Sequence, residues 1–239
     1  MRVLGLDTAT RATTVALLDT QAHTVHERRD DPPAGERPRH TTRLLPLAVE
    51  ALADGRTDWS ALGLIGVGTG PGTFTGIRIG IATARALAAA RSIPIAGVST
   101  LQALAAGAAG SGRGEERLLA VLDARRGEVF VAGWDPGEVA VAGVEPLLAP
   151  RALAPAALAD LLAATGGRWL AVGDGVLAYP EAVARAGARA PDAGSPLHRV
   201  SAAHICRLAL TAHPGAPDAV VPEYLREPDA KPARDRLRT

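Results

Sequence analysis

The residues best placed to do chemistry are the loop Gly66-Val-Gly-Thr-Gly-Pro-Gly-Thr-Phe-Thr-Gly-Ile-Arg-Ile-Gly80 and two aspartates, Asp7 and Asp123, each near the end of an apolar run. Glycines at 66, 68, 70, 72 and 76 permit positive φ and let several N–H groups converge. Beside a helix N-terminus such a loop can hold an anion. The same composition also builds a tight crossover at the edge of a sheet. Asp7, followed by Thr8 and Thr10, suits a metal-bound water or a phosphate, and equally a turn whose amides need acceptors. Asp7, Thr8, Gly70, Gly72 and Asp123 are therefore the candidate anion or nucleotide contacts. A two-lobed ATPase or kinase would set Asp7 and Asp123 across a cleft holding phosphates and magnesium.

Other chemistries lack their residues. No Gly-x4-Gly-Lys-Ser/Thr occurs, and the glycines never fall into Gly-x-Gly-x-x-Gly register, since Pro71 and Thr73 take the third positions. Neither aspartate comes with the lysine or second acid that phosphoryl transfer asks for. The histidines at 23, 26, 40, 198, 204 and 213 give no His-Glu-x-x-His and no i, i+4 pair, so no metal is expected. Without a Gly-x-Ser-x-Gly elbow or a reactive setting for Cys206, a peptidase has no nucleophile. No cofactor is expected.

The elements that must position these residues follow from hydrophobic periodicity. Val3–Leu6 and Thr14–Leu18 read as strands joined by a turn. The charged, proline-bearing stretch 27–43 reads as a surface loop, with His40 near its end as a solvated or capping residue. A helix over 42–54 spreads its apolar residues through an arc of roughly 200°, where a helix on one core needs a little over about 100°. The surplus means either deep burial or a second face for a partner, and Pro46 delays or bends the start. A strand leads into the glycine loop, and a helix over 77–91 leads out with the small-residue row Gly80, Ala84, Ala88. A strand over 93–98 and a helix over 99–109 follow, and Gly110–Gly114 separates two lobes.

The second half reopens with Leu118-Leu-Ala-Val-Leu-Asp123, a tight turn and a second strand, echoing the first lobe and implying a duplicated βαβ architecture. A helix over 155–164, a short strand over 169–172, a turn at 173–175 and helices near 181–185 and 201–211 complete it, with Cys206 as a buried structural thiol. The lobes are placed at 1–110 and 115–226. Tyr224 and Leu225 dock on the body, and 227–239 reads as a disordered tail.

Composition narrows the class. The chain has 239 residues, 47% of them apolar but only 3% aromatic, so Ala, Leu and Val must do most of the packing. Lys+Arg 26 against Asp+Glu 25 leaves no global basic field for nucleic acid. Lys231 is the one lysine, and Cys206 the one cysteine, which points to a reducing compartment. No apolar run approaches about 18 residues, so a cytoplasmic, non-membrane protein is expected.

Several stretches together resemble one family. They are Val3-Leu-Gly-Leu-Asp-Thr-Ala-Thr10, His40-Thr-Thr-Arg-Leu-Leu-Pro46, Gly68–Gly80, Gly97-Val-Ser-Thr-Leu101, Leu122-Asp-Ala-Arg-Arg-Gly-Glu-Val129 and Pro222-Glu-Tyr-Leu-Arg226. In order and over nearly the whole chain they resemble the TsaB (YeaZ) family. The resemblance implies an α/β fold of the actin-like (ASKHA) kind, with two duplicated lobes of mixed sheets flanked by helices. It implies a non-catalytic subunit in threonylcarbamoylation of the tRNA adenosine beside the anticodon, binding a TsaD-type transferase subunit and a TsaE-type ATPase and reaching tRNA through that complex. In TsaD a His-x-x-x-His pair holds the metal. The matching positions here are Thr100 and Leu104, which supply no imidazole. The family packs two N-lobe helices on its partner or on a second copy. This makes His40, Leu44, Leu45, Ala48, Leu52, Ile77, Gly80, Ile81, Ala84 and Ala88 the expected interface and leaves a homodimer open. The rival expectation is an actin-fold ATPase or kinase using Asp7 and Asp123.

Overall fold

The structure, a computed structural model, describes residues 1–33, 35–113 and 115–226. The first sheet holds β1 (Arg2–Asp7), β2 (Thr13–Asp19), β3 (Thr24–Asp30), β4 (Leu62–Gly70) and β5 (Ile95–Ser99), in the order β3-β2-β1-β4-β5. The first three strands form an antiparallel meander, while β4 and β5 run parallel to β1. Alternation along β1 sends Leu4 and Leu6 to one face and Val3 to the other. On the first face lie α1 (His40–Asp54) and α2 (Phe74–Arg91), whose Leu44, Leu47, Ala48, Leu52, Ile77, Ile81, Ala84 and Ala88 join Leu4, Leu6, Val15, Ile65 and Val67 in one core.

The second sheet repeats the plan. β6 (Arg117–Arg125), β7 (Glu128–Trp134), β8 (Leu148–Leu153) and β9 (Trp169–Val172) lie in the order β8-β7-β6-β9. Again a meander precedes a strand parallel to its first member. The outer face carries α4 (Leu158–Thr165), α5 (Asp174–Ala178) and α6 (Pro180–Arg185). Between the sheets lie α3 (Thr100–Gly107) and α7 (Ala202–Thr211), and one apolar cluster runs from Val3 and Leu64 through Leu101, Leu104, Ile205 and Leu208 to Leu118, Leu122 and Phe130.

Several expectations need correction. The sequence assigns 115–226 to the second lobe, yet α7, within that span, packs on the first sheet. Gly5 and Gly66 make room for it: a Cβ at Gly5 would meet Ala202 O and Cys206 Sγ at 2.6 Å, and one at Gly66 would meet Ala209 Cβ at 2.7 Å. The charged stretch from 27 contains the end of β3, an edge strand polar on both sides and therefore without a period-two signal. Its polar groups have distant partners: Glu27 accepts the Thr14 hydroxyl at 2.8 Å and the Ala202 N–H at 2.7 Å, and Arg29 donates to Val200 O at 2.6 Å. His40 is neither solvated nor capping; it is the first residue of α1, buried, with Nδ1 2.9 Å from the Thr13 hydroxyl oxygen. Pro46 lies inside α1 on its exposed side without ending it. The residues expected as a turn, 173–175, open α5, and β8 forms in a stretch to which the sequence assigns no element. The expected tail, 227–239, lies outside the described residues.

Candidate functional site

The β1–β2 turn and the glycine loop close on each other. Asp7 is 1% exposed; its Oδ1 accepts the Ala9 N–H at 2.8 Å and its Oδ2 the Thr100 hydroxyl at 2.7 Å. Thr100 Oγ1 in turn accepts the Gly70 N–H at 3.2 Å. Burial raises the Asp7 carboxyl to about 6, against the pull of the Thr100 and Ala9 hydrogen bonds. The Thr8 hydroxyl donates to Gly76 O at 2.7 Å, and Thr73 N–H to Ala9 O at 2.7 Å. Gly68, Gly72, Gly76 and Gly80 press on this turn. A Cβ on them would run into Asp7 Oδ2, Ala9 O, Thr8 O and Thr8 Oγ1 respectively. The loop is thus a crossover filled by the chain's own turn. The expectation that Asp7 faces a cleft opposite Asp123 is corrected: Asp7 is sealed under the loop, with both oxygens engaged. Beside it, among the described residues, His40 Nε2 is buried without a hydrogen-bond partner, and burial lowers the imidazole's pKa.

A cleft of about 410 Å³ does lie between the lobes, lined by Pro71, Gly72, Thr73 and Phe74, by residues 123–126 and Phe130, and by residues 223–226. Of the five candidate anion contacts it brings together only Gly72 and Asp123. The Asp123 carboxylate takes the Arg125 N–H and guanidinium, both at 2.8 Å. Behind it the Asp123 N–H donates to Asp174 Oδ1 at 2.9 Å, and burial raises the Asp174 pKa. The chain's last described segment straps across the cleft. Val220 O accepts from Arg85 Nε at 3.0 Å, and Glu223 N–H donates to Thr69 O at 2.8 Å. Tyr224 stacks on Phe74, with centroids 5.4 Å apart, and accepts at its hydroxyl from Arg78 Nε at 2.9 Å. Arg226 reaches the other lobe, at 2.8 Å from Glu128 Oε2 and 3.3 Å from Ala124 O. The docking of Tyr224 is legible in the sequence, whereas the parts played by Phe74, Arg78 and Arg226 are not. The scarcity of aromatics was the available signal, because three of the chain's two Phe and two Tyr line this one cleft.

The expected interface residues are also redistributed. His40, Leu44, Ala48, Leu52, Ile77, Gly80, Ile81, Ala84 and Ala88 are all buried within this chain. They hold α1 and α2 to the sheet and are not available to a partner. Leu45 alone of the ten is exposed, at 48%, and one turn on Val49 is exposed at 54%. With Ala53 these form the outward apolar strip of α1, and Ala82 and Ala86 are exposed on α2.

Two lobes that repeat a meander followed by a parallel strand, with a cleft between them, define an actin-like (ASKHA) fold. A family model described as TsaD, tRNA N6-adenosine threonylcarbamoyltransferase, matches residues 32–172. The Escherichia coli tRNA threonylcarbamoyladenosine biosynthesis protein TsaB is 37% identical over 182 residues, which is 76% of this chain and 74% of that protein. Bacillus subtilis TsaB is 35% identical over 136 residues, covering 54% of this chain and 53% of its own. The structure of YeaZ from Pseudomonas aeruginosa matches at a TM-score of 0.72 and 31% identity, over 94% of this chain and 99% of that one. The chain belongs to the TsaB family. Among the described residues, no helix is long and apolar enough to cross a membrane.

Proposed function

We propose that this chain is a non-catalytic subunit in tRNA threonylcarbamoyladenosine synthesis, presenting α1 and α2 to a TsaD-type transferase subunit, with a TsaE-type ATPase joining the pair. The observation that carries the reading is the exposed Leu45–Val49 strip on a helix whose opposite side is already packed on the sheet. A two-sided helix of this kind fits the broad apolar arc in the sequence and supplies the apolar centre that stable interfaces need. The family names of its relatives supply the pathway. The site residues favour a scaffold over a catalyst. Thr100 and Leu104 stand where the resemblance puts the transferase's metal histidines; the Thr100 hydroxyl is committed to Asp7, and Leu104 is 1% exposed in the core.

The test uses Leu45→Asp and Val49→Asp, which change only outward side chains. Each is expected to remain folded by circular dichroism and to lose co-elution with a TsaD-type subunit, its affinity falling by about a hundredfold. Co-elution unchanged in both variants would overturn the interface. A charge at Ala84, which is 0% exposed, would instead disrupt the fold and test nothing. The same strip would serve a second copy, so sedimentation of the wild-type chain and of Leu45→Asp reads the homodimer separately.

A further inference from the structure

The interlobe cleft has a chemistry that the helix faces do not use. In a chain with so few aromatics, Phe74 and Tyr224 remain 42% and 39% exposed, stacked at an interplanar angle of 27°. Arg78 lies 3.8 Å from the centroid of the Phe74 ring. Burying such rings is ordinarily favourable, so an exposed pair at the mouth of a cleft marks a surface built for contact. Across from it, the Arg125 guanidinium pairs with Asp123 Oδ2 at 2.8 Å, and the cation is the more outward of the two: the Asp123 side chain is 13% exposed and that of Arg125 48%. Arg126, also exposed, occupies the first position of the two-residue β6–β7 turn. It has φ 56° and is followed by Gly127 at φ 78°, a geometry in which asparagine or glycine is the usual first residue. Arg125 is also held at positive φ, 63°. Two consecutive arginines in this conformation carry a backbone cost that a shorter polar residue would reduce.

We propose that this cleft is a stacking site for an unpaired nucleotide of RNA, the base on the Tyr224–Phe74 platform and its phosphate on Arg125 and Arg126. An aromatic face beside a guanidinium cluster is the pairing that single-stranded nucleic acid recognises, because every base has a π-face and every linkage a charge. The choice of RNA over another aromatic anion rests on the proposed function; the platform itself does not. The local arrangement also answers the near-zero net charge, which argued only against a global field.

The experiment is fluorescence anisotropy of the whole, isolated chain with a labelled single-stranded RNA of about twelve nucleotides. The same strand annealed to its complement, and AMP as competitor, complete it. The single strand is expected to bind in preference to the duplex. Tyr224→Ala should weaken it about tenfold or more while Tyr224→Phe retains it. Arg126→Ala should reduce the slope of log affinity against log salt by about one. Equal binding of the duplex, indifference to Tyr224→Ala, or displacement by equimolar AMP would overturn the assignment; the last would give the cleft to a free nucleotide. Because no transferase subunit is present, failure here leaves the Leu45 and Val49 test of the scaffold role standing, and the converse holds.

Discussion

At the scale of single residues, Asp7 shows how the same side chains can read as a catalyst or as a clamp. An anion cradle and a filled crossover both call for an Asp-Thr turn and a run of glycines, so the sequence marks the place without deciding the use. What decides it is Thr100, 93 positions away, whose hydroxyl joins Asp7 to the Gly70 amide. The clamp has a pH signature. A carboxyl with a pKa of about 6 in the fold, against an ordinary 3.8, holds its proton more tightly folded than unfolded. Its contribution is therefore fully favourable below the unfolded value and is lost as pH rises through about 6, a swing of about 3 kcal/mol for a shift of this size. Asp174 has a carboxyl shifted in the same direction, and Asp19 and Glu116 are shifted oppositely, so the test is a difference between variants. Asp7→Asn should flatten the pH 4–6 part of the melting-temperature curve relative to wild type, with Tm near neutral pH no lower than the parent's. A variant several degrees less stable at neutral pH would mean that the ionised form is what the turn requires.

At the scale of elements, the helix over 42–54 was legible as a direction but not as two faces. A 200° arc contains both the core-facing residues and Leu45 and Val49, and only the packed sheet separates them. Burial then sorts substitutions on α1 that look alike in sequence. Leu44→Ala, at 2% exposure, should cost about 2–5 kcal/mol in urea unfolding, while Leu45→Ala should stay within about 0.5 kcal/mol; equal costs would mean the helix is rotated from its described position. The location of α7 was illegible for a different reason, since it depends on empty space in strands far away in sequence. Gly5 sits where a side chain would strike the start of α7 at both Ala202 O and Cys206 Sγ. Gly5→Val should therefore lift the helix from the first sheet and destabilise the chain by about 3 kcal/mol or more, read as a lower urea midpoint with Cys206 opened to thiol reagents. Retained protection of Cys206 would show that the helix finds another seat. The strand β3 escaped notice because its Glu27 and Arg29 partners belong to other elements.

At the scale of the whole molecule, the duplication was legible from the two strand-Asp-turn-strand segments, but the junction between the halves was not. In the sequence the loop at 110–114 reads as a boundary between two separate lobes. The structure instead runs one apolar cluster through both halves, with α3 buried from Thr100 to Ala106 between the two sheets. A helix buried on every side belongs in such a position, its polar Gln102 satisfied by Val139 O and Val141 O and its Thr100 hydroxyl by Asp7. On the cleft side the Val220–Arg226 strap adds a second tie, but the Arg226–Glu128 pair is 31% and 37% exposed and contributes at most about 1 kcal/mol. The shared core therefore dominates, and the halves should not melt apart. Calorimetry is expected to show one transition whose van't Hoff and calorimetric enthalpies agree. Leu104→Ala, in the shared cluster and touching the Gly173 turn of the second lobe, should cost about 2–5 kcal/mol and lower that single Tm by about 2–4 °C for each kcal/mol. It should do so equally when followed by probes in either half. Two resolved transitions, or a Leu104→Ala effect confined to one half, would mean that the lobes move independently. A body held this way suits a subunit that presents a fixed face to a partner, because each partner contact is made without first paying to order the surface.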